Sequence, residues 1–222
     1  MKKSLTIQIL IDEAKRFCEI ESKYPNKDLY GVTDGKAVGT HIEHKFQDVL
    51  KEKYRYTSGS AARGIDFPEP HLNTDIKVTS IAQPQSSCPF REARQKIYGL
   101  GYNLLLFVYE KADDPGTQTS ILDFKSCSFI HKERTGDYQT TKAILQMIEN
   151  NANTDDIMAY LMDRNIPADE ITLQDITTEI IKNPPMQGYL TISNALQWRL
   201  QYQRIVTMKD NPEGIIKIVN KL

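Results

Sequence analysis

Hydrophobic and polar positions follow helical spacing from the start of the chain. Leu5, Ile7, Ile9, Leu10, Ala14, Phe17 and Ile20 recur among charges over residues 4–22, which predicts an amphipathic helix. Tyr24-Pro25-Asn26-Lys27-Asp28 ends it, and the Gly- and Asp-rich stretch from Gly31 to Gly39 reads as a loop. Ile42, Phe46, Val49 and Leu50 predict a second helix over about 40–54, with Thr40 as its N-cap. Residues 57–64 are small and polar, a loop, and Ile65-Asp66-Phe67 ends a short strand before Pro68 and Pro70.

Strand patterns follow. Ile76, Val78 and Ile81 mark a strand over 72–81, and a loop with Pro84, Ser86, Ser87 and Pro89 comes next. A helix over 90–100 stops at Gly99 and Gly101. Residues 102–109 are almost continuously apolar, which predicts a strand covered on both faces, as in α/β sheets. After the turn Asp113-Asp114-Pro115-Gly116, residues 119–124 and 127–131 are further strand candidates.

The texture changes near residue 137. Short helical patterns cover 141–150, 155–164, 173–182 and 192–204, and the apolar runs 205–208 and 215–219 flank an Asn211-Pro212 turn as a hairpin. The chain therefore divides into an α/β part, 1–137, and a smaller mainly helical part, 138–222. Helices followed by a hairpin are the order of a winged helix, with 192–204 as the helix for the major groove of DNA. Residues 191–209 hold Arg199, Arg204 and Lys209 and no acid, a local charge of +3. Asn194, Gln197, Arg199, Gln201 and Arg204 are its candidate DNA contacts, against the plainer reading that Ile192, Leu196, Trp198 and Ile205 pack a helical cap.

Composition narrows the class. Of 222 residues, 40% are hydrophobic and 26% charged, ordinary for a globular chain able to build a core without staples. The charge, 28 − 29 = −1, removes strong overall basicity as a sign of nucleic-acid binding but leaves local patches open. Cys18, Cys88 and Cys127 are odd in number and far apart, which speaks against a disulfide framework or a cysteine zinc site and for a reducing cytoplasm. Asp12, Glu13, Lys15 and Arg16 interrupt any apolar export segment after Lys2 and Lys3, and no run reaches the ~20 apolar residues of a membrane span.

The candidate chemistry lies in Gly64-Ile65-Asp66-Phe67-Pro68 and Asn73-Thr74-Asp75-Ile76-Lys77-Val78. Asp75 and Lys77 are two apart in a strand, so they leave the same face. Asp66, nine residues before Asp75, joins them if the two segments form a hairpin. Two converging carboxylates repel unless a cation neutralises them, and oxygen ligands with an open side suit Mg²⁺. A metal that activates water and stabilises phosphate charge, beside a lysine, holds the parts for phosphodiester hydrolysis.

These residues resemble the PD-(D/E)xK nuclease superfamily, which includes most type II restriction endonucleases. Asp66 matches the first acid, Asp75 the second, and Lys77 the lysine of Asp75-Ile76-Lys77. Glu43 stands where many members carry a helix glutamate, and the helix and apolar strand after Lys77 keep the family order over residues 38–110. Ile65 replaces the proline of the motif. The resemblance implies a mixed sheet flanked by helices and Mg²⁺ held by Asp66, Asp75, the Ile76 carbonyl and Glu43. It also implies Lys77 positioning the attacking water, double-stranded DNA as substrate, and a homodimer cutting both strands.

Plainer readings stand beside these. Asp66 alone could cap a turn, Asp75 and Lys77 could be an exposed ion pair, and Glu43 a surface charge. His41, His44 and His71 could share a metal; Arg63, Lys45, Lys51, Lys53 and Arg55 could touch phosphate, or simply line a solvated helix. Gln83, Gln85 and Ser86 in the loop after Lys77 suit base edges, and Gln95 could face the site. Two rivals to a restriction endonuclease are a structure-specific repair or junction-resolving nuclease and a non-enzymatic winged-helix regulator.

Overall fold

In the computed structural model, residues 2–59, 64–88, 92–193 and 198–222 are described. The elements in chain order are β1 (Lys3–Ser4), α1 (Ile7–Glu21), α2 (Gly35–Lys53), β2 (Tyr54–Arg55), β3 (Thr74–Ser80), β4 (Gln85–Cys88), α3 (Arg94–Tyr98), β5 (Asn103–Asp114) and β6 (Thr119–Ile130). They continue as α4 (Tyr138–Glu149), α5 (Thr154–Asp163), α6 (Glu170–Lys182), β7 (Thr191–Ile192), β8 (Trp198–Gln201), α7 (Gln203–Thr207) and β9 (Ile215–Asn220). The chain is a mixed α/β protein. Its contacts form two compact units that interleave: residues 1–84, 102–130 and 206–222 in one, residues 85–101 and 131–205 in the other. The sequence pattern suggests a single cut near 137 instead.

The first unit is built on a mixed sheet of order β3-β5-β6-β9, flanked by α1 and α2. β3 runs parallel to β5, and β5–β6 and β6–β9 are antiparallel. The apolar run 103–109 is buried throughout, as expected of a central strand, and β6 is one long strand rather than two short ones. Phe17 of α1, Phe46 of α2, Phe107 of β5 and Phe124 of β6 interlock, with ring centroids 5.1–6.1 Å apart in tilted and edge-on pairs.

α2 begins earlier than its apolar stripe suggests. Asp34 caps it by accepting from the Lys36 N–H, so Gly35 and Gly39 are helical, not loop residues. At Gly39 the helix lies close to β3: a Cβ there would be in van der Waals contact with the Val78 carbonyl oxygen, at 3.4 Å.

The second unit joins helices to a small sheet. Ile97 of α3, Ile144 of α4, Ile157 and Leu161 of α5, and Leu173, Ile176 and Ile180 of α6 form its apolar core. The sheet has the order β4-β8-β7, both pairings antiparallel. Among the described residues no winged helix forms. The expected groove helix over 192–204 gives two strands around 194–197, because buried Leu200 and Tyr202 alternate with exposed Arg199, Gln201 and Gln203 at the period of a strand. The expected wing also fails: 203–207 is helical, and β9 pairs with β6. β4 is likewise a strand where a loop is expected, since β8 supplies its ladder. The helix after it is short, α3 covering 94–98. No helix among the described residues is long and apolar enough to cross a membrane.

Candidate active site

β3 is the edge strand of its sheet, and that edge carries the site. Phe67 and Thr74 form an antiparallel bridge, exchanging N–H···O bonds of 3.0 and 3.1 Å. The turn between them closes through the Glu69 carbonyl, which accepts from Leu72 and Asn73 N–H, and Asn73 takes a left-handed φ of 37°. This short hairpin sets Asp66 beside β3. Its Oδ2 accepts the Ile76 N–H at 2.6 Å and its Oδ1 accepts Gln47 Nε2 at 2.9 Å. In a strand, the N–H and C=O of one residue leave the same edge, so the Ile76 carbonyl is presented on the side of Asp66.

Glu43 and Gln47 lie one turn apart on α2. With Asp66, Asp75, Ile76 and Lys77 they line a cleft of about 290 Å³, together with His44, Gly59, Gly64 and Ile65. Asp75 is 5% exposed. Lys77 Nζ lies 2.5 Å from its Oδ2, a close and largely buried ion pair.

The carboxyls form a row, with Asp66 between Glu43 and Asp75. Burial pushes the Asp75 carboxyl up to about 7; Asp66 adds to the rise and Lys77 opposes it. Burial also raises Asp66 and Glu43. For Lys77, burial lowers the pKa, yet Asp75, Asp66 and Glu43 outweigh it and hold the ammonium above its usual range. Such a site calls for a cation. Among the described residues no three His, Cys, Asp or Glu side chains close into a ready-made metal cluster. Two carboxylates, a backbone carbonyl and water are the oxygen donors that suit a hard divalent ion, and Asp66, Asp75 and Ile76 offer that set in one cleft.

The other candidates separate clearly. Gln47 is a residue that the sequence does not announce, because a glutamine four residues after a glutamate is ordinary on any helix. Lys45 pairs with Glu21 at 2.7 Å and lies over the Tyr24 ring, Lys53 pairs with Glu13 at 2.7 Å, and Lys51 with Asp48 at 3.3 Å. His71 bonds the Leu5 carbonyl at 3.1 Å, and only His44 of the three histidines lines the cleft. Gln83 is exposed and its backbone carbonyl accepts from Thr79. Gln85 and Ser86 begin β4, with Ser86 Oγ 2.6 Å from the Tyr202 hydroxyl. Gln95 is buried in the second unit, where it donates to the Leu100 carbonyl. Arg199 and Gln201 are exposed on β8, and Arg204 stacks 3.6 Å over the Tyr138 ring. Arg63, Asn194 and Gln197 lie outside the described residues.

Residues 4–217 match the family model described as type II restriction enzyme NspV. The type II restriction enzyme NspV of Nostoc sp. (strain ATCC 29411 / PCC 7524) is 53% identical over 214 residues, 96% of each chain. No solved structure matches the chain. With the match running through both units and across every cleft residue, the chain belongs to the NspV family of type II restriction enzymes, site-specific endonucleases of DNA.

Proposed function

We propose that the chain cuts both strands of duplex DNA at a short sequence with Mg²⁺, using Asp66, Asp75, Glu43 and Lys77. The observation that carries this reading is the convergence of three carboxyls, Glu43, Asp66 and the buried Asp75, with one ammonium in a single cleft. Asp66, Asp75 and the Ile76 carbonyl would hold the ion, with Glu43 beside Asp66 as a further ligand or a base for water. Mg²⁺ in that place supplies charge neutralisation and activation of water.

The chain's own residues do the rest. The Ile76 N–H and Gln47 fix both oxygens of Asp66, so its lone pairs keep one direction. Lys77 stays protonated beside its carboxylates, which suits it to orient the attacking water and stabilise charge growing on the phosphate rather than to accept a proton. Cutting both strands of a palindromic site needs two such clefts, and a homodimer provides them. The reducing cytoplasm, where DNA is met, is the proposed location.

Digestion of a plasmid of known sequence tests the reading. Discrete fragments in Mg²⁺, none with chelator and none with Asp75→Ala are expected. Cleavage by Asp75→Ala at the wild-type rate would remove the site.

A further inference from the structure

The small sheet of the second unit has one buried and one exposed face. Its registers place Gln85 opposite Gln201 and Gln201 opposite Thr191, and Ser87 opposite Arg199. Ser193 extends the second row: its N–H donates to the Arg199 carbonyl at 3.2 Å, and its Oγ accepts the Arg199 N–H at 3.0 Å. Residues two apart share a face, so these six side chains form one polar grid. It contains a cation and no acid, in a chain whose net charge is −1. Arg199, Gln201 and Ser87 are exposed.

The reverse face is anchored. Ile192, Leu200 and Tyr202 are at most 3% exposed. The Ile192 N–H donates to Asp137 Oδ2 at 2.8 Å, and its carbonyl accepts Lys96 Nζ at 2.9 Å. Both of those charged groups are buried, as is the Tyr202 side chain that meets Ser86. Solvation alone explains a polar face. It does not call for a face whose edge strand is fixed by two buried charged groups and whose reverse side is packed.

We propose that this face reads base edges in the major groove of DNA, with Arg199 and Gln201 as the specificity-determining residues. The proposal rests on the nuclease reading above and names the residues that select its sequence. Arg forms bidentate bonds with guanine O6 and N7, Gln with adenine N6 and N7, and serine hydroxyls bond to either. β8 lies between β4 and β7, so Arg199 and Gln201 stand on the central strand of the exposed face. Successive residues on one face of a strand are roughly 6.8 Å apart, twice the ~3.4 Å rise per base pair, so the two rows address different steps of the duplex. Neither Arg199 nor Gln201 makes a side-chain hydrogen bond or ion pair among the described residues.

The test compares Arg199→Ala, Arg199→Lys and Gln201→Ala with wild type. The probes are a duplex carrying the site that the wild type cuts and its single-base-pair variants, with kcat/KM measured at two salt concentrations. Arg199→Ala is expected to lower the preference for the true base pair by about ten- to a hundredfold at one position. Arg199→Lys should not restore it, because an ammonium lacks the planar fork, and Gln201→Ala should relax a different position. Unchanged preferences in all three variants would overturn the proposal. So would a uniform loss on every duplex that Arg199→Lys repairs, which marks a phosphate contact. Wild-type protein that cuts no DNA in Mg²⁺ would remove the nuclease reading as well, whereas cleavage with unmoved preferences removes this inference alone.

Discussion

Asp75→Asn should abolish cleavage and yet stabilise the metal-free protein. The Asp75 carboxyl is raised from 3.8 to about 7, first by burial and then by Asp66, against the pull of Lys77. A carboxyl whose folded pKa lies above its unfolded value opposes folding wherever it must ionise. The penalty is absent below about pH 4, grows through the interval, and is complete above about pH 7. Three units correspond to roughly 4 kcal/mol at pH 8, a ceiling for a coupled group. Asn keeps the shape and removes the charge, but it also takes away the nearest counter-charge of Lys77, so about 1–3 kcal/mol of net gain is expected. For a chain of this length each kcal/mol moves Tm by about 2–4 °C. Thermal unfolding in chelator should therefore show Asp75→Asn several degrees above wild type at pH 8 and close to it at pH 5. Added Mg²⁺ should raise the wild type and leave the variant behind. Equal gains at both pH values, or a loss at pH 8, would refute the electrostatic account of the cleft.

Three further outcomes follow from neighbouring contacts. Gln47→Ala frees one oxygen of Asp66 and should raise the Mg²⁺ concentration for half-maximal cleavage by about tenfold or more, read from a metal titration. Gly59→Ala would set a Cβ 1.8 Å from the Ile65 carbonyl oxygen, displacing the segment that carries Asp66; kcat should fall by about a hundredfold. Buried Glu13 bonds Arg16, Lys53 and the Tyr54 hydroxyl, and although burial alone would raise its pKa, these partners lower it. Its stabilisation is therefore present above about pH 4.5 and is lost as pH falls through its depressed folded value. Glu13→Gln should cost about 1–3 kcal/mol in urea unfolding at pH 7 and less at pH 3.

The candidate cleft is legible in the sequence because its parts are local. Asp75 and Lys77 share a face by strand geometry, the Phe67–Thr74 bridge needs only a short turn, and Glu43 comes from the resemblance to the superfamily's helix glutamate. Gln47 is hidden by chemistry rather than distance, since an amide four residues from an acid is ordinary on any helix. The reading of 192–204 fails for a different reason. Ile192, Leu196, Trp198 and Ile205 satisfy a helical stripe, while the alternation of Leu200 and Tyr202 with polar neighbours satisfies a strand, and only pairing with β4 decides between them. That pairing joins Ser87 to Arg199, far apart in the chain, and β4 is too polar to announce itself. β9 is a similar case: its apolar run is visible, but its partner β6 is not.

The net charge of −1 is the wrong scale for a protein that holds DNA. Ionised Glu43, Asp66 and Asp75 with Lys77 sum to −2, set where the proposed reading brings a phosphate. Without a cation that charge repels DNA; a divalent ion brings the cleft to neutrality, so metal and duplex should each strengthen the binding of the other. The effect is measurable on a duplex made uncleavable at the scissile phosphate, its affinity compared in chelator and in Mg²⁺. Tighter binding in Mg²⁺ is expected, with the gain reduced in Asp75→Asn, which starts from a less negative cleft and a weaker metal site. Equal affinity in chelator and Mg²⁺ would place the acidic row away from the phosphate and break the link between this cleft and the cut.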